Sequence, residues 1–249
     1  MESYNQFASV YDLFMEDTPY EDWLSYIETC LKKYDLDVKS VCELGCGTGQ
    51  MTTLFAKKGL EVIGIDLSAE MLMIAQDHAF EEELDILYLL QDMSSFELGE
   101  SVDFICSCCD SMNYLLEEEE LLETFIRVKR FLKPSGLFIF DMNTPYKYKE
   151  VLGNQVFADQ TEEAAYIWTN YYDEEEEINE YEVSFFIKDE KDKYNRSIEN
   201  HYQRAYSIEK VKSLLEEAGL ELLEVNDNYS HESLGDTSER ATFIVRNSK

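Results

Sequence analysis

Residues 41 to 66 constrain the fold more than any other stretch. Val41-Cys42-Glu43-Leu44 is short and apolar enough for a strand, and it runs into Gly45-Cys46-Gly47-Thr48-Gly49. Glycines there let the backbone turn tightly and approach a ligand closely. Gln50 to Lys58 has a helical pattern that Gly59 closes. The start of such a helix offers free N–H groups and the positive end of a dipole. Glu61 to Asp66 then forms a second strand, with Asp66 at its end, 23 residues after Glu43. In a βαβ unit that acid faces the same crevice, where it accepts bonds from the two hydroxyls of a ribose. Strand, glycine turn, helix, strand and acid together define a nucleoside site. The dinucleotide fingerprint G-x-G-x-x-G needs a glycine where Gln50 stands. The carboxylate of Glu43 before the turn is hostile to a pyrophosphate and favourable to a sulfonium or ammonium.

The same alternation continues. Residues 1 to 34 read as helices, with Trp23, Ile27 and Leu31 four residues apart. Ser68 caps a helix from about Ala69 to His78, and Ile86 to Gln91 is a third strand. Val102 to Cys108 is a fourth, almost unbroken in its apolar character, as a parallel strand buried on both faces should be. Glu117 to Phe131 is a helix with acids in its first turn, Lys133 to Gly136 a turn, and Leu137 to Phe140 a fifth strand. Residues 35 to 145 thus predict a doubly wound α/β sheet. Residues 164 to 206 change to alternating aromatic and polar residues, which predicts two or three antiparallel strands with a hairpin at Asp189 to Lys193. Ser207 caps a further helix, Ile208 to Ala218, and Leu220 to Val225 and Ala241 to Arg246 are the final strands.

Glu43 to Gly49 resembles the first motif of class I S-adenosylmethionine-dependent methyltransferases. Gly64-Ile65-Asp66-Leu67-Ser68 is similar to that family's acidic second-strand motif, Gln91-Asp92-Met93 to the motif after the third strand, and Leu132-Lys133-Pro134-Ser135-Gly136 to the turn before the fifth. The resemblance implies a Rossmann-like, seven-stranded and mostly parallel sheet in the order 3-2-1-4-5-7-6, with the last strand antiparallel. Residues 1–145 and 207–249 would form this cofactor-binding domain, and residues 146–206 an antiparallel β insertion covering the substrate. It implies S-adenosylmethionine as cofactor. Gly45, Cys46 and Gly47 would meet its methionine part, Glu43 its amino group, Asp66 the ribose and Leu67 the adenine. Asp92 would accept from the adenine amino group, and Met93 would pack on the ring. Tyr4 to Tyr11, with Phe7, Ala8 and Asp12, resembles a lid helix in which Tyr11 closes over the cofactor.

Cys109 and Asp110 follow the fourth strand and are candidates for lining the methyl end; a helix cap is the other reading of Asp110. Period two places Glu199, His201 and Gln203 on one face of a strand, with Tyr202, Arg204 and Tyr206 on the other. His201, with an ordinary pKa of about 6.5, is the candidate general base. Tyr166, Trp168, Tyr171 and Tyr172 are candidates for caging a small substrate or a cationic amine.

Composition narrows the partners. With 21 basic and 53 acidic residues the formal charge is −32, a field that repels phosphate backbones and anionic membranes. The Asn-Pro-Pro-Tyr-type motif of base-amino methyltransferases is absent after the fourth strand, which weighs against DNA adenine as a target. The N-terminus reads as neither a secretory signal nor a span, since a span needs roughly 20 apolar residues. A cytoplasmic location follows as the expectation. The six cysteines lack the pairing of a disulfide framework, and no second ligand cluster accompanies Cys106, Cys108 and Cys109, so no metal site is expected. The expected function is methyl transfer to a small-molecule N or O acceptor. The alternative is a non-catalytic cofactor-binding partner or regulator. Oligomeric state is not legible.

Overall fold

The computed structural model describes residues 8–189 and 191–248; Tyr4 to Phe7, part of the expected lid, lie outside them. Two helices, α1 (Ala8–Phe14) and α2 (Tyr20–Lys33), precede the main sheet. The sheet is built from β1 (Ser40–Leu44), β2 (Glu61–Asp66), β3 (Ile86–Leu90), β4 (Val102–Ser107), β5 (Leu132–Asn143), β10 (Glu221–Asp227) and β11 (Arg240–Arg246). Its order is β10-β11-β5-β4-β1-β2-β3. β11 pairs antiparallel with both β5 and β10, whereas β1, β2, β3, β4 and β5 run parallel. This is the expected 3-2-1-4-5-7-6 arrangement with its seventh strand reversed.

The apolar strands are explained by two cores, one on each face. On β5, Phe138, Phe140 and Met142 feed one core, and Leu137 and Ile139 the other. Helices α5 (Glu118–Phe131) and α6 (Ile208–Glu217) close the first core. There Phe140 stacks between Phe138 and Phe243, both at 4.7 Å. α2 and α3 (Gln50–Lys57) close the second with Trp23, Ile27 and Phe55. Helix starts follow local chemistry. The Ser68 hydroxyl accepts from Met71 N–H at the head of α4 (Ala69–Glu81), and Ser207 accepts from Lys210 N–H at the head of α6. Glu117 and Glu120 form a capping box at α5.

One expectation needs correction, and one strand of the insertion lies outside the stretch read as alternating. Lys133 to Gly136 is no free turn: β5 begins at Leu132, and Ser135 (φ +67°) makes the kink within it. The C-terminal segment holds this stretch extended, because Ser135 N–H donates to Asn247 O and Asn247 N–H to Gly136 O, each at 3.0 Å. The insertion has four strands, in the order β6 (Val156–Gln160), β7 (Ala164–Asp173), β8 (Ile178–Lys188) and β9 (Tyr194–Arg204), all antiparallel. β6 escaped notice because it is short and mostly exposed, so it carries almost no alternation. The turn at Asp189 is present, with Asp189 N–H donating to Lys193 O at 2.7 Å.

Candidate functional site

A cavity of 670 Å³ opens where the C-terminal ends of β1, β2 and β4 face the second sheet, a size typical of small-molecule sites. The expected cofactor and catalytic residues all line it: Tyr11, Glu43, Gly45, Cys46, Gly47, Asp66, Leu67, Asp92, Met93, Cys109, Asp110 and His201.

The glycine turn has geometry that favours glycine. Gly45 has φ +69°, and a Cβ there would stand 2.7 Å from the Cβ and Oγ of Ser111. Gly47 has φ +53°, and a Cβ on it would meet nothing within 4 Å, so its backbone is open to a ligand. Asp66 organises the turn from the next strand. Its Oδ2 accepts from Gly47 N–H and its Oδ1 from Ser68 N–H, both at 2.8 Å. Burial raises its pKa against these bonds, which lower it. Glu43 is 3% exposed, and its Oε2 has no hydrogen-bond partner. Burial pushes its pKa well up, and the charge of Asp66 adds to this. A buried carboxylate oxygen without a partner beside the glycine turn is what an ammonium would complete.

The far wall of the glycine turn comes from the end of β4. Cys109 (φ +64°) and Asp110 (φ +51°) are successive non-glycine residues in left-handed conformations, a costly arrangement. Asp110 makes no helix-capping bond. Its Oδ1 pairs with Arg240 Nη2 and its Oδ2 accepts from Gln203 Nε2, both at 2.8 Å. Arg240 also pairs with fully buried Asp141, which accepts from Tyr229 Oη at 2.6 Å. Asp110 thereby ties β9 of the insertion to β11 of the main sheet. Sequence reasoning missed Arg240 and Asp141, since nothing local marks residues that meet 99 positions apart.

Asp92 caps its own turn, with Oδ1 accepting from Ser94 N–H at 2.7 Å and Ser94 Oγ–H at 2.8 Å, and it still borders the cavity. On the opposite rim α1 is fastened by Asp12. Its Oδ1 accepts from Thr48 Oγ1 (2.7 Å) and Gln50 Nε2 (3.1 Å), and its Oδ2 faces His78 Nε2 at 3.4 Å. The helix carrying Tyr11 is therefore latched to the glycine turn.

The acceptor end is aromatic. The second sheet turns Tyr166, Trp168, Tyr181, Phe185 and His201 into the cavity, with Tyr114 opposite. The expected alternation of β9 holds: Glu199, His201 and Gln203 are buried, while Tyr202 is exposed. The expected aromatic cage needs revision. Tyr171 is 52% exposed on the outer face, one residue out of phase with Trp168. Tyr172 stacks under Tyr148 at 6.2 Å instead of lining the cavity. Among the described residues, no lysine or arginine lines the wall.

A buried carboxylate with one unpartnered oxygen at a glycine turn, in a wall without lysine or arginine among the described residues, suits a cationic nucleoside cofactor and not a phosphate-rich one. The comparisons with known proteins agree. Residues 41–136 match a family model described as a methyltransferase domain. A methyltransferase-family protein of Geobacillus sp. (strain WCH70) is 38% identical over 245 residues, covering 98% of this chain and 99% of the relative. An S-adenosylmethionine-dependent methyltransferase from Clostridium acetobutylicum ATCC 824 superposes with a TM-score of 0.90 at 33% identity, covering 99% of both chains. CalS10, an amino pentose methyltransferase from Micromonospora echinaspora solved with S-adenosylmethionine bound, shares the fold, with a TM-score of 0.76 at 16% identity over 98% of both chains. The chain belongs to the S-adenosylmethionine-dependent methyltransferases.

Proposed function

We propose that this enzyme methylates a small-molecule nitrogen or oxygen acceptor held under the antiparallel sheet. The observation that carries the reading is the single cavity whose one end is the cofactor turn and whose other end is aromatic. S-adenosylmethionine, when bound, supplies a methyl group on a good leaving group, so the protein mainly positions the reactants. Residues 1–145 and 207–249 form the cofactor domain in this reading, and residues 146–206 the substrate cover.

The residues divide by position. Gly45, Cys46 and Gly47 present backbone to the methionine part, and Glu43 takes its amino group through the oxygen that lacks a partner. Asp66 keeps lone pairs for the ribose hydroxyls while it anchors Gly47. Leu67 and Met93 flank the adenine, and Asp92 accepts from its amino group. Tyr11 closes the site, with Asp12 holding its helix in place. Cys109 and Asp110 border the methyl end, and His201 serves as general base for an acceptor that must lose a proton. The acidic surface favours neutral or cationic small molecules over nucleic acid. CalS10, whose partner molecule is an amino pentose, supports a small acceptor by analogy of fold. Six free cysteines, five of them buried, suit the cytoplasm. No helix among the described residues is long and apolar enough to cross a membrane.

Calorimetric titration with S-adenosylmethionine, beside NAD and with Asp66→Ala as control, tests the cofactor half. Saturable binding that the variant loses and NAD lacks is expected. Mass spectrometry of amine and hydroxyl panels then tests the acceptor half, and transfer only to macromolecules refutes it.

A further inference from the structure

The acceptor end contains a line of polar groups that none of the proposed cofactor contacts uses. Glu199 and His201 are each 4% exposed, and His201 Nε2 lies 3.5 Å from Glu199 Oε2. On the other side of the imidazole, Nδ1 stands 3.3 Å from Tyr114 Oη, which lies 2.6 Å from Tyr181 Oη. The Tyr181 ring stacks on His201 with centroids 4.9 Å apart. Tyr114, Tyr181 and His201 reach the cavity, whereas Glu199 stands behind them.

One tautomer of His201 suits this order. With the ring hydrogen on Nε2, on the side of the Glu199 carboxylate, Nδ1 keeps a lone pair. That lone pair accepts the Tyr114 hydroxyl hydrogen, which leaves Tyr114 Oη as an acceptor toward Tyr181 and the cavity. The surrounding wall, with Tyr166, Trp168 and Phe185, is aromatic and has no lysine or arginine among the described residues. Ring faces attract cations, and this wall places no fixed positive charge before an anion.

We propose that the acceptor is a primary or secondary amine that enters as its ammonium ion and gives its proton to Tyr114 and, through it, to His201. The proposal rests on the small-molecule reading above and extends it to the acceptor's class. The ammonium N–H bond breaks as its proton reaches Tyr114 Oη, and Tyr114 passes its own hydrogen to His201 Nδ1. The imidazolium so formed stands opposite the Glu199 carboxylate. The freed nitrogen lone pair forms the C–N bond while the C–S bond of the methyl donor breaks, its electron pair remaining on sulfur. The product leaves as a methylated ammonium ion, and His201 returns its proton to water. Tyr114 is the catalytic residue here; Glu199 acts through His201 as a positioning residue.

The test uses the full chain saturated with S-adenosylhomocysteine, whose own binding is measured first by calorimetry. Three probes of matched shape follow: benzylamine, benzyl alcohol and benzoate. The ring signals of the three histidines are read by NMR and assigned with His201→Asn. Benzylamine is expected to bind at least about tenfold more tightly than benzoate and to shift the His201 ring signal through the Tyr114 hydrogen bond. In Tyr114→Phe benzylamine still binds while the His201 signal stays where it was, and in Glu199→Gln the shift is smaller. Benzoate binding as tightly as benzylamine, no binding by any probe, or a His201 signal unmoved by benzylamine each overturns the proposal. Failure of S-adenosylhomocysteine to bind overturns the cofactor reading beneath it, and the first titration detects that separately.

Discussion

Replacing Glu43 by glutamine isolates the most unusual feature of the site. The side chain is 3% exposed and one of its carboxylate oxygens has no partner, so water screens neither its cost nor its attraction for a cation. Burial first, and Asp66 second, raise its pKa in the folded chain. The folded state therefore binds more protons than the unfolded chain, whose Glu titrates near about 4.3. Stability contributed by this group falls as pH rises from that value through the raised folded one, and stays low above it. Glutamine keeps the shape and removes the charge. At neutral pH the variant should gain about 1–3 kcal/mol, because it removes a desolvated charge and keeps a neutral polar side chain in its place. Each kcal/mol corresponds to about 2–4 °C in Tm for a chain of this size. Binding moves the other way. A hydrogen bond to a charged partner contributes about 1.5–3 kcal/mol, so affinity for S-adenosylmethionine should drop about ten- to hundredfold. Wild-type affinity should also rise with pH as Glu43 ionises, whereas the variant's profile should be flatter. Thermal melts without cofactor and calorimetry across pH measure both. Unchanged affinity together with an unchanged Tm would refute the assignment of Glu43 to the cofactor's amino group.

Other sites give further expectations. Gly45→Ala forces a Cβ to within 2.7 Å of Ser111 at φ +69°; it should lower stability by about 1–3 kcal/mol and weaken cofactor binding, read by melts and calorimetry. Arg240→Met leaves Asp141 and Asp110 without their cation and should cost about 3–5 kcal/mol; adding Asp141→Asn should recover part of the loss in urea unfolding. Asp12→Ala cuts the bonds from α1 to Thr48 and Gln50 and should speed S-adenosylmethionine release in stopped flow, with little change in Tm. An unchanged release rate would show that α1 does not gate the site.

Much of this protein could be read from its sequence because the relevant signals are local. The glycine turn, the acid at the end of β2 and the serine caps of α4 and α6 depend on neighbours a few residues away, and each stands where its pattern placed it. The apolar runs of β4 and β5 are legible for a related reason: a strand buried on both faces has no polar phase to confuse. The grouping of Glu199, His201 and Gln203 on one face of β9 followed from period two alone, and the structure turns that face inward.

Only the tertiary structure decided which distant side chains meet. Arg240 reaches Asp110 across 130 positions, and Tyr114 meets Tyr181 and His201 across 67 and 87. Asp12 finds Thr48 because α1 folds back over the glycine turn. Likewise Tyr166 and Trp168 line the cavity while Tyr172, on the same face of β7 by period two, packs against Tyr148 instead. Hydrogen bonds and ion pairs act over a few ångströms, and chain separation carries no trace of that distance. The cofactor half, carried by one continuous βαβ unit, was therefore readable in the chain, whereas the acceptor half exists only after two sheets have closed on each other.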